Sequence, residues 1–424
     1  MTPLSDLTRA FARIGFLSFG GPAAQIALMH KVLVEERGWL SEAQFLKALS
    51  FCMMLPGPEA MQLATYAGWR LRGLRGGLIA GTLFVLPGAV VIAGLAALYL
   101  TYGSVPLVEA AFTGIQAAVI AIVLQALQRL RAKALGRPGA PLIAALAFAA
   151  LFLFALPFPL VILAAALAGA LVWRGASQPA SAATEPVRLR RIALTVAAGL
   201  TLWLGPVALL IWAGPPLLAD LAVFFSQLAV VTFGGAYAVL AYMTQDVVDG
   251  RGWLTTAEMM DGLGLAETTP GPLILVTQFV GHLAGHGAGG IAANWTLFWW
   301  GGLVTLWVTF VPCFLWIFAG APLIDRLDRV PAIARALEGV TAAVVGVILN
   351  LSLWFAAHVL FAQVGVTERG PLSLITPDLA SLNVAALALA LLACALLLWR
   401  GWSVFATLGL SAALGVALQG ASFL

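Results

Sequence analysis

Charged residues are scarce in this chain. Only 9% of its 424 residues are Asp, Glu, Lys or Arg, and 62% are hydrophobic, whereas a soluble domain carries about 25% charged residues. Apolar runs recur along the whole chain, and a run of about twenty residues is long enough to cross a hydrocarbon layer of roughly 30 Å. A water-soluble fold is therefore excluded, and we expect a polytopic protein whose solvent is the lipid bilayer.

Cysteine is scarce, and the sequence signatures of enzymes are missing. Cys52, Cys313 and Cys394 lie in separate apolar segments and form no CxxC pair, which argues against disulfides and a structural zinc site. His282 and His286 are four residues apart but lie among glycines, so we expect no metal there. The HExxH, GxSxG and phosphate-loop motifs do not occur. The sequence predicts a protein that is not an enzyme and has no cofactor.

Basic charge is not concentrated either. The 22 Lys and Arg residues give a net charge of +4, but they are spread over short loops between apolar runs. This pattern sets membrane topology and is not a nucleic-acid-binding surface. The N-terminus lacks an apolar core followed by a small-residue cleavage site, so no removable signal peptide is expected.

What the sequence does contain is a duplicated unit. Phe-Gly-Gly occurs at 19–21 and 233–235, Arg-Gly-Trp-Leu at 37–40 and 251–254, and Pro-Gly-Pro at 56–58 and 270–272, all at an offset of 214 residues. Further along the offset becomes 225, because segment 117–125 matches 342–350. Three unrelated motifs at one spacing indicate an internal repeat with an insertion near 282–300.

The duplication divides the chain into four segments. Residues 1–174 form the N-terminal repeat, 175–191 a cytoplasmic linker, 192–217 a connecting transmembrane helix and 218–424 the C-terminal repeat. Apolar runs predict about thirteen transmembrane helices, of which those at 141–156 and 158–173 are short enough to stop before crossing fully. The predicted fold class is an all-α polytopic membrane protein with two inverted repeats and helices broken at Pro-Gly-Pro.

Loop charge supports the inversion. Arg-rich loops occur at 70–75, 129–137 and 174–191 in the first half, whereas the second-half equivalent of 70–75 has no Lys or Arg and the loop at 325–335 is basic. By the positive-inside rule, the N-terminus is expected in the cytoplasm and the C-terminus outside a bacterial inner membrane. Inverted repeats are a recurring architecture of alternating-access transporters.

The Pro-Gly-Pro motifs are the best candidates for a binding site. Proline removes a backbone donor and disfavours helix at the preceding residue, so a half-helix should begin after each motif. Its free N–H groups and positive dipole end would attract an anion, and the central glycine would let the anion approach the backbone. The alternative is a pair of kinks that only shape packing. The candidate residues are Pro56, Gly57, Pro58, Pro270, Gly271 and Pro272.

The other two motifs each allow two interpretations. The glycine pairs Gly20–Gly21 and Gly234–Gly235 could serve as hinges or close helix contacts, or could line the anion path with backbone. Arg37 and Arg251 are paired cations that could attract a dianion. A structural turn at the membrane surface, followed by a Ser or Thr helix cap, explains the same motif.

Ionisable and amide side chains lie beside the breaks. Glu59 follows the first Pro-Gly-Pro and Glu267 precedes the second by three residues. Intramembrane carboxylates are functional by default, and a carboxylate that must be protonated to admit an anion would suit proton coupling. The alternatives are helix N-terminal stabilisation for Glu59 and a solvated loop for Glu267. Gln62 and Gln278 could donate neutral hydrogen bonds to a substrate.

The paired Phe-Gly-Gly, Arg-Gly-Trp-Leu and Pro-Gly-Pro motifs, in order over nearly the whole chain, resemble the chromate ion transporter (CHR) superfamily in its long, two-domain form. The resemblance implies export of chromate, with sulfate as a competing dianion, driven by the membrane potential or a proton gradient. The motif positions of the family correspond here to Phe19-Gly20-Gly21, Arg37, Trp39, Pro56-Gly57-Pro58 and their second-half counterparts. Leu273 stands opposite Glu59, and Ala236 opposite Pro22, so the halves are not interchangeable.

Three classes of function stay open. They are a chromate exporter, a transporter of sulfate or another small anion on the same scaffold, and an anion channel or membrane scaffold. The expected partners are an oxyanion substrate and the lipid bilayer, without nucleic acid. The oligomeric state is not determined, and a homodimer is one alternative.

Overall fold

The computed structural model describes residues 2–173, 189–233, 236–287, 294–324, 331–370 and 372–422. Most of the predicted linker and both glycines of the second Phe-Gly-Gly motif, Gly234 and Gly235, lie outside these residues, as does much of the basic loop at 325–335.

Nearly all of the described chain is helical. The helices, in chain order, are α1 Leu4–Leu17, α2 Gly21–His30, α3 Glu42–Met53, α4 Glu59–Tyr102, α5 Pro106–Ala134, α6 Ala140–Phe152, α7 Phe158–Val172, α8 Leu189–Ala213, α9 Pro216–Val231, α10 Ala236–Gln245, α11 Thr256–Thr268, α12 Val276–Gly287, α13 Trp295–Gly320, α14 Pro331–Leu360, α15 Val384–Cys394 and α16 Val404–Ser422. Wider π-helical turns, Lys31–Glu36, Asp246–Gly250 and Ala395–Trp399, extend α2, α10 and α15.

Several helices have the length and composition of membrane spans. Five described segments could cross a bilayer on their own: Glu59–Tyr102, Pro106–Ala134, Leu189–Ala213, Trp295–Leu323 and Ala332–Leu360. Helices α6 and α7 have 13 and 15 residues and are only about 20 Å long at 1.5 Å per residue, as their short apolar runs predict. The chain is thus a helical, multi-pass membrane protein. The total of about thirteen spans and the inverted repeat stay predictions.

The predicted spans at the motifs are each divided into two helical segments. Helix α1 ends before Phe-Gly-Gly and α2 begins within it, and α3 and α4 are separated by Pro-Gly-Pro. Helix α3 has 12 residues, about 18 Å, which is less than the roughly 30 Å of a hydrocarbon layer. Glycine and proline therefore divide these spans, and backbone groups that a continuous helix would pair become available at the breaks.

Helix α4 contains a second interruption. Arg72 and Gly73 have non-helical backbone angles, with φ of −144° and 61°. A Cβ at Gly68 would clash with the carbonyl group of Gly76, so the two arms of α4 fold back on each other with their backbones in close contact. Small residues permit such an approach between helices in membranes. The turn lies inside the Arg-rich segment 70–75 that the sequence predicts to be a loop.

One element departs from the all-α prediction. Strands β1 (Val364–Arg369) and β2 (Leu372–Pro377) form an antiparallel hairpin between α14 and α15. The first half has only residues 135–139 between α5 and α6. The strands carry Val, Ile and Thr, which favour extended structure, but their apolar run is too short to be separated from the adjacent spans by periodicity alone.

The chain forms two compact units, each built from both halves of the sequence. The first comprises 1–96, 175–236 and 266–334. Within it, α13 packs on α12 through Gly281 and Gly301, whose backbones touch. Helix α8 also packs on α13, where Trp307 Nε1 of α13 donates to the carbonyl oxygen of Leu202 on α8 at 2.9 Å. These contacts give the first unit a core with α13 at its centre.

The second unit comprises 97–174, 237–265 and 335–424. Its apolar core joins α5 to α15 and α16 through Ile122, Leu397 and Leu408, all nearly inaccessible. Helix α14 packs on α6 and α7 where Gly346 faces Ala144 and Gly339 faces Gly169. Close glycine contacts of this kind replace the hydrophobic effect as the source of helix association in a membrane.

The contact at Gly346 gives a stability prediction. A Cβ there would clash with the carbonyl oxygen of Ala144 and lie 2.8 Å from the backbone nitrogen of Phe148. Gly346→Ala should therefore destabilise the protein by about 1–3 kcal/mol. Gly409→Ala, on α16 with open space around the new methyl group, should be neutral or stabilising by up to about 1 kcal/mol from helix propensity. Thermal unfolding in detergent measures both, and equal melting temperatures would contradict the packing account.

Candidate anion-binding site

The first Pro-Gly-Pro turn joins α3 to α4. Gly57 has φ of 117°, a conformation that side chains disfavour, and its N–H donates to the carbonyl oxygen of Thr232 at 2.8 Å. A Cβ at Gly57 would lie 2.8 Å from Cys313 Sγ and 2.9 Å from Gln62 Nε2. Backbone angle and available space therefore both require glycine.

The second turn has the same construction. Gly271 has φ of 92°, and its N–H donates to the carbonyl oxygen of Ser18 at 2.8 Å. Its own carbonyl oxygen accepts a hydrogen bond from Gln25 Nε2 at 2.6 Å. A Cβ at Gly271 would lie 3.3 Å from the carbonyl oxygen of Phe84. Both backbone polar groups of Gly271, its N–H and its carbonyl oxygen, are thus hydrogen-bonded.

The two backbone bonds are related by the repeat. Ser18 and Thr232 are 214 residues apart, as are Gly57 and Gly271. Each Pro-Gly-Pro glycine therefore donates to the residue before the Phe-Gly-Gly motif of the other half. We call the pair of bonds Gly57–Thr232 and Gly271–Ser18 the reciprocal clasp. All four residues belong to the first compact unit.

The two residues that accept these bonds have the same backbone conformation. Ser18 has φ −79° and ψ 66°, and Thr232 has φ −78° and ψ 79°. In each case the next residue donates back across the turn, Phe19 N to Leu17 O at 2.9 Å and Phe233 N to Val231 O at 3.0 Å. Angles near these values define an inverse γ-turn. The turn ends the preceding helix and leaves the Ser18 or Thr232 carbonyl oxygen to accept from the glycine.

Gly20 and Gly21 complete the first Phe-Gly-Gly break. Both have positive φ, 85° and 77°, and α2 begins at Gly21 with Pro22 in its first turn. The motif therefore acts as a helix break directly after Ser18. The sequence alternatives of hinge and backbone lining both remain compatible with this position.

After the first Pro-Gly-Pro, α4 begins at Glu59, as predicted. After the second, a short 3₁₀ turn, Leu273–Leu275, precedes α12. Gln62 N donates to Pro58 O at 3.1 Å, and Leu275 N donates to Pro272 O at 3.0 Å. N–H groups earlier in each first turn have no intrahelical acceptor. Ala60, Met61, Leu273 and Ile274, which carry them, are 0–4% exposed. The positive ends of two helices are thus buried among apolar side chains.

The amide nitrogens of the glutamines near the turns donate to backbone carbonyl groups. Gln62 Nε2 donates to Pro56 O at 2.7 Å, and Gln278 Nε2 donates to Ala89 O at 3.0 Å, so these amides are used by the protein backbone. The Oε1 atoms of Gln25, Gln62 and Gln278 are buried without a protein partner. Buried polar atoms almost always have one, so these oxygens mark places for water or a ligand proton donor.

The two cations of the Arg-Gly-Trp-Leu motif are engaged locally. Arg37 and Arg251 each lie over the ring of the tryptophan two residues on, 4.8 Å from its centroid in both cases. Arg251 also pairs with Asp246 at 2.8 Å. Ser41 and Thr255 form reciprocal caps with the residues three positions on. These contacts favour the interpretation as a structural turn.

A third copy of this turn was missed in the sequence. Arg400, Gly401 and Trp402 follow the π-helical turn Ala395–Trp399, and Trp402 N donates to Leu396 O at 3.0 Å. The corresponding bond at the first copy, Trp39 N to Leu33 O, is 2.8 Å. No Pro-Gly-Pro follows the third copy. The turn therefore does not depend on the binding motif, which is consistent with a structural role.

The two carboxylates beside the breaks occupy helices. Glu59 is the first residue of α4 and is partly exposed. Glu267 lies in the last turn of α11 and is 7% exposed, so the solvated loop considered for it is wrong. Both side chains interact with other groups of the protein. A coupling role for either stays a prediction.

A metal centre finds no support in the described residues, where no three His, Cys, Asp or Glu side chains cluster. His282 is buried, with Nδ1 2.8 Å from the carbonyl oxygen of Phe298 and Nε2 3.1 Å from Gln278 Nε2. Both ring nitrogens are therefore engaged by protein groups, with the proton on Nδ1 in the neutral form.

Membrane-length helices and helices broken at paired motifs are those of a polytopic membrane protein. The chain belongs to the chromate transporter family, whose model matches residues 5–170 and 219–416. The chain is thus a member of a family of transport proteins, and both repeats are matched.

Curated relatives cover most of the chain. A chromate transport protein of Pseudomonas aeruginosa is 35% identical over 355 residues, 81% of this chain and 79% of the relative. One of Cupriavidus metallidurans is 30% identical over 81% of this chain and 80% of its own length. A probable chromate transport protein of Synechococcus elongatus is 31% identical over 81% and 82%. No solved structure matches the chain.

Gln25 allows the clasp to be tested. Gln25→Leu removes the donor to the Gly271 carbonyl oxygen and leaves that oxygen buried with one partner fewer, which should destabilise the second turn by about 1–3 kcal/mol. Amide hydrogen exchange in the peptide containing Gly271 should accelerate. Gln125→Leu, which removes an amide-to-carbonyl bond to Leu397 at 3.3 Å, is the matched control and should leave that peptide unchanged. Equal protection in both variants would contradict the role given to Gln25.

Proposed function

We propose that this protein is a secondary transporter that exports chromate across a bacterial inner membrane, driven by the membrane potential or a proton gradient. The observation that carries the proposal is the pair of buried half-helix N-termini beside Gly57 and Gly271 in a chain of the chromate transporter family. Such an activity would confer chromate resistance. The names of the curated relatives support chromate as the substrate.

Backbone N–H groups suit a tetrahedral dianion. The amides of Ala60 and Met61, and those of Leu273 and Ile274, lie in the first turns of their helices, where the dipole adds positive potential. Their apolar surroundings exclude water, which strengthens each interaction with charge. Since Arg37 and Arg251 are held by their tryptophans, binding would rely on neutral donors, and release would not require breaking a buried ion pair.

The clasp provides a route from binding to movement. The glycine of each half is bonded to the other half, so displacement of one turn changes the backbone partner of the opposite repeat. In an inverted-repeat transporter, one half rocks against the other around a fixed site. From the loop charges, we propose that the N-terminus lies in the cytoplasm and the C-terminus outside. Glu59 and Glu267 are candidates to bind a proton beside the anion site.

The function is tested in everted membrane vesicles from cells that produce the protein. On energisation, vesicles should accumulate radiolabelled chromate, and unlabelled sulfate should compete because it is also a tetrahedral dianion. Uptake of sulfate but not of chromate would show that sulfate is the substrate and that the chromate proposal is wrong. Chromate flux that follows only the anion's own electrochemical gradient and is saturated by no concentration would indicate a channel.

Substitution of the two turn glycines gives the corresponding variant prediction. Gly57→Ala and Gly271→Ala introduce a methyl group at positive φ and against Cys313 or Phe84, so chromate uptake should fall by roughly tenfold or more, equivalent to about 1.4 kcal/mol. Gly38→Ala is the matched control, because Gly38 also has positive φ, 57°, but no atom within 4 Å of the new methyl group.

The Gly38→Ala control separates the effect of backbone strain from the effect of changing the proposed anion site. Gly38→Ala should lower stability by about 1–2 kcal/mol and keep uptake per folded molecule. Fluorescence-detected size exclusion confirms that each variant is folded and inserted. If Gly57→Ala and Gly38→Ala retain the same uptake, the turns do not form the anion site.

A further inference from the structure

A buried carboxylate lies outside the anion site. Asp261, on α11, is 4% exposed. Its Oδ2 accepts a hydrogen bond from the Tyr99 hydroxyl at 2.9 Å, and its Oδ1 accepts one from Gln116 Nε2 at 2.8 Å. All three residues belong to the second compact unit. Neither donor carries a positive charge.

In the part of the chain that the structure describes, this carboxylate has no positively charged partner, and its hydrogen bonds come from Tyr99 and Gln116. The charged groups that face it are Glu109, near the start of α5, and Glu258, one turn earlier on α11. Both are acidic. Burying an unpaired charge is costly, so a group in this setting takes up and loses a proton readily as its surroundings change.

The partners can hold both forms of the side chain. An ionised carboxylate accepts from both donors as observed. A protonated Oδ2 donates to the Tyr99 oxygen, because a phenol hydroxyl is both donor and acceptor. The Gln116 bond to Oδ1 is kept in either case. Tyr99 is itself fixed by the ring of Phe112, whose centroid is 5.2 Å away in an edge-to-face arrangement.

The cluster occurs in only one repeat. The equivalent of Asp261 at the offset of 214 is Lys47, which is exposed, and the equivalents of Tyr99 and Gln116 at the offset of 225 are Ile324 and Thr341. A contact needed by the repeat fold would be expected in both halves. A cluster that occurs in one half is therefore better explained by a function than by a need of the repeat fold.

Position along the chain connects Asp261 to the anion site. It lies on α11, the helix that ends at Thr268 immediately before the second Pro-Gly-Pro. Asp261 and that turn are therefore joined along the chain by one helix. Gly264 on α11 packs closely on Ile115 of α5, and a Cβ at Gly264 would clash with the Ile115 side chain. A local change in this tight contact would therefore shift α11 as a whole.

We propose that Asp261, positioned by Tyr99 and Gln116, is a proton-binding site that couples a pH gradient to anion movement. The inference rests on the proposed transport function. A proton on Asp261 removes the buried charge and allows the helix rearrangement that carries the anion, whereas chromate exchange between two equal compartments needs no net proton movement.

Two assays on one preparation test it. The purified full-length protein is reconstituted in liposomes with the membrane potential clamped at zero by potassium and valinomycin. The first assay measures exchange of radiolabelled for unlabelled chromate at equal pH. The second measures net chromate uptake driven by an imposed pH gradient. Their ratio within each variant cancels differences in the amount of folded protein. The protonation of chromate is the same for every variant, because all variants are measured at the same pH values.

Asp261→Asn should keep exchange and lose roughly tenfold or more of gradient-driven uptake, the scale of a typical coupling between two sites. Asp261→Glu should restore gradient-driven uptake with a shifted pH profile, and Tyr99→Phe should shift the profile with exchange kept. Asp220→Asn changes an exposed carboxylate on α9 and should alter neither assay.

Other outcomes contradict the inference. It is overturned if Asp261→Asn keeps the wild-type ratio, or if exchange and gradient-driven uptake fall together and Asp261→Glu restores neither. Wild-type protein that exchanges chromate without responding to a pH gradient would also exclude the coupling site while leaving the transport function in place. Wild-type protein that moves no chromate in either assay would instead remove the proposed function.

Discussion

The reciprocal clasp is the constraint on which the site depends. Gly57 N–H bonds to Thr232 O and Gly271 N–H to Ser18 O, both at 2.8 Å. Each bond fixes a glycine at positive φ, and each glycine sets where the following half-helix begins. Because the acceptor lies in the opposite half, neither Pro-Gly-Pro turn is complete within its own repeat. The motifs have the same spacing in the two halves of this chain. The clasp explains this, because each glycine and its carbonyl acceptor must lie at equivalent positions of the two repeats.

The clasp is symmetric in its backbone and asymmetric in its side chains. Cys313 and Gln62 close around Gly57, whereas Gln25 and Phe84 lie around Gly271. Asp261 has no acidic equivalent in the first half. An anion that depends on backbone donors can use both turns, while side chains that differ between the repeats can give the cycle a direction. This division suits a transporter that binds one kind of ion and couples its movement to a second.

Local features followed from the sequence because glycine and proline act on their own neighbours. The helix breaks at Phe-Gly-Gly and Pro-Gly-Pro and the caps at Ser41 and Thr255 are of this kind. The partner of Gly57 could not be predicted, since a bond to a residue far along the chain leaves no periodic signal. The engaged amide of Gln62 and the stacked Arg37 depend on where neighbouring groups fall in space. Asp261 was detectable as an acidic residue in an apolar run, and only its burial distinguishes it.

The position of the bound anion decides whether the two Pro-Gly-Pro turns form the binding site. Crystals of the protein soaked in chromate would show the chromium position in an anomalous difference map. We expect a peak within hydrogen-bond reach of the first-turn amides of α4, at Ala60 and Met61, or of those at Leu273 and Ile274. A peak beside Arg37 or Arg251, with none at either Pro-Gly-Pro turn, would contradict it.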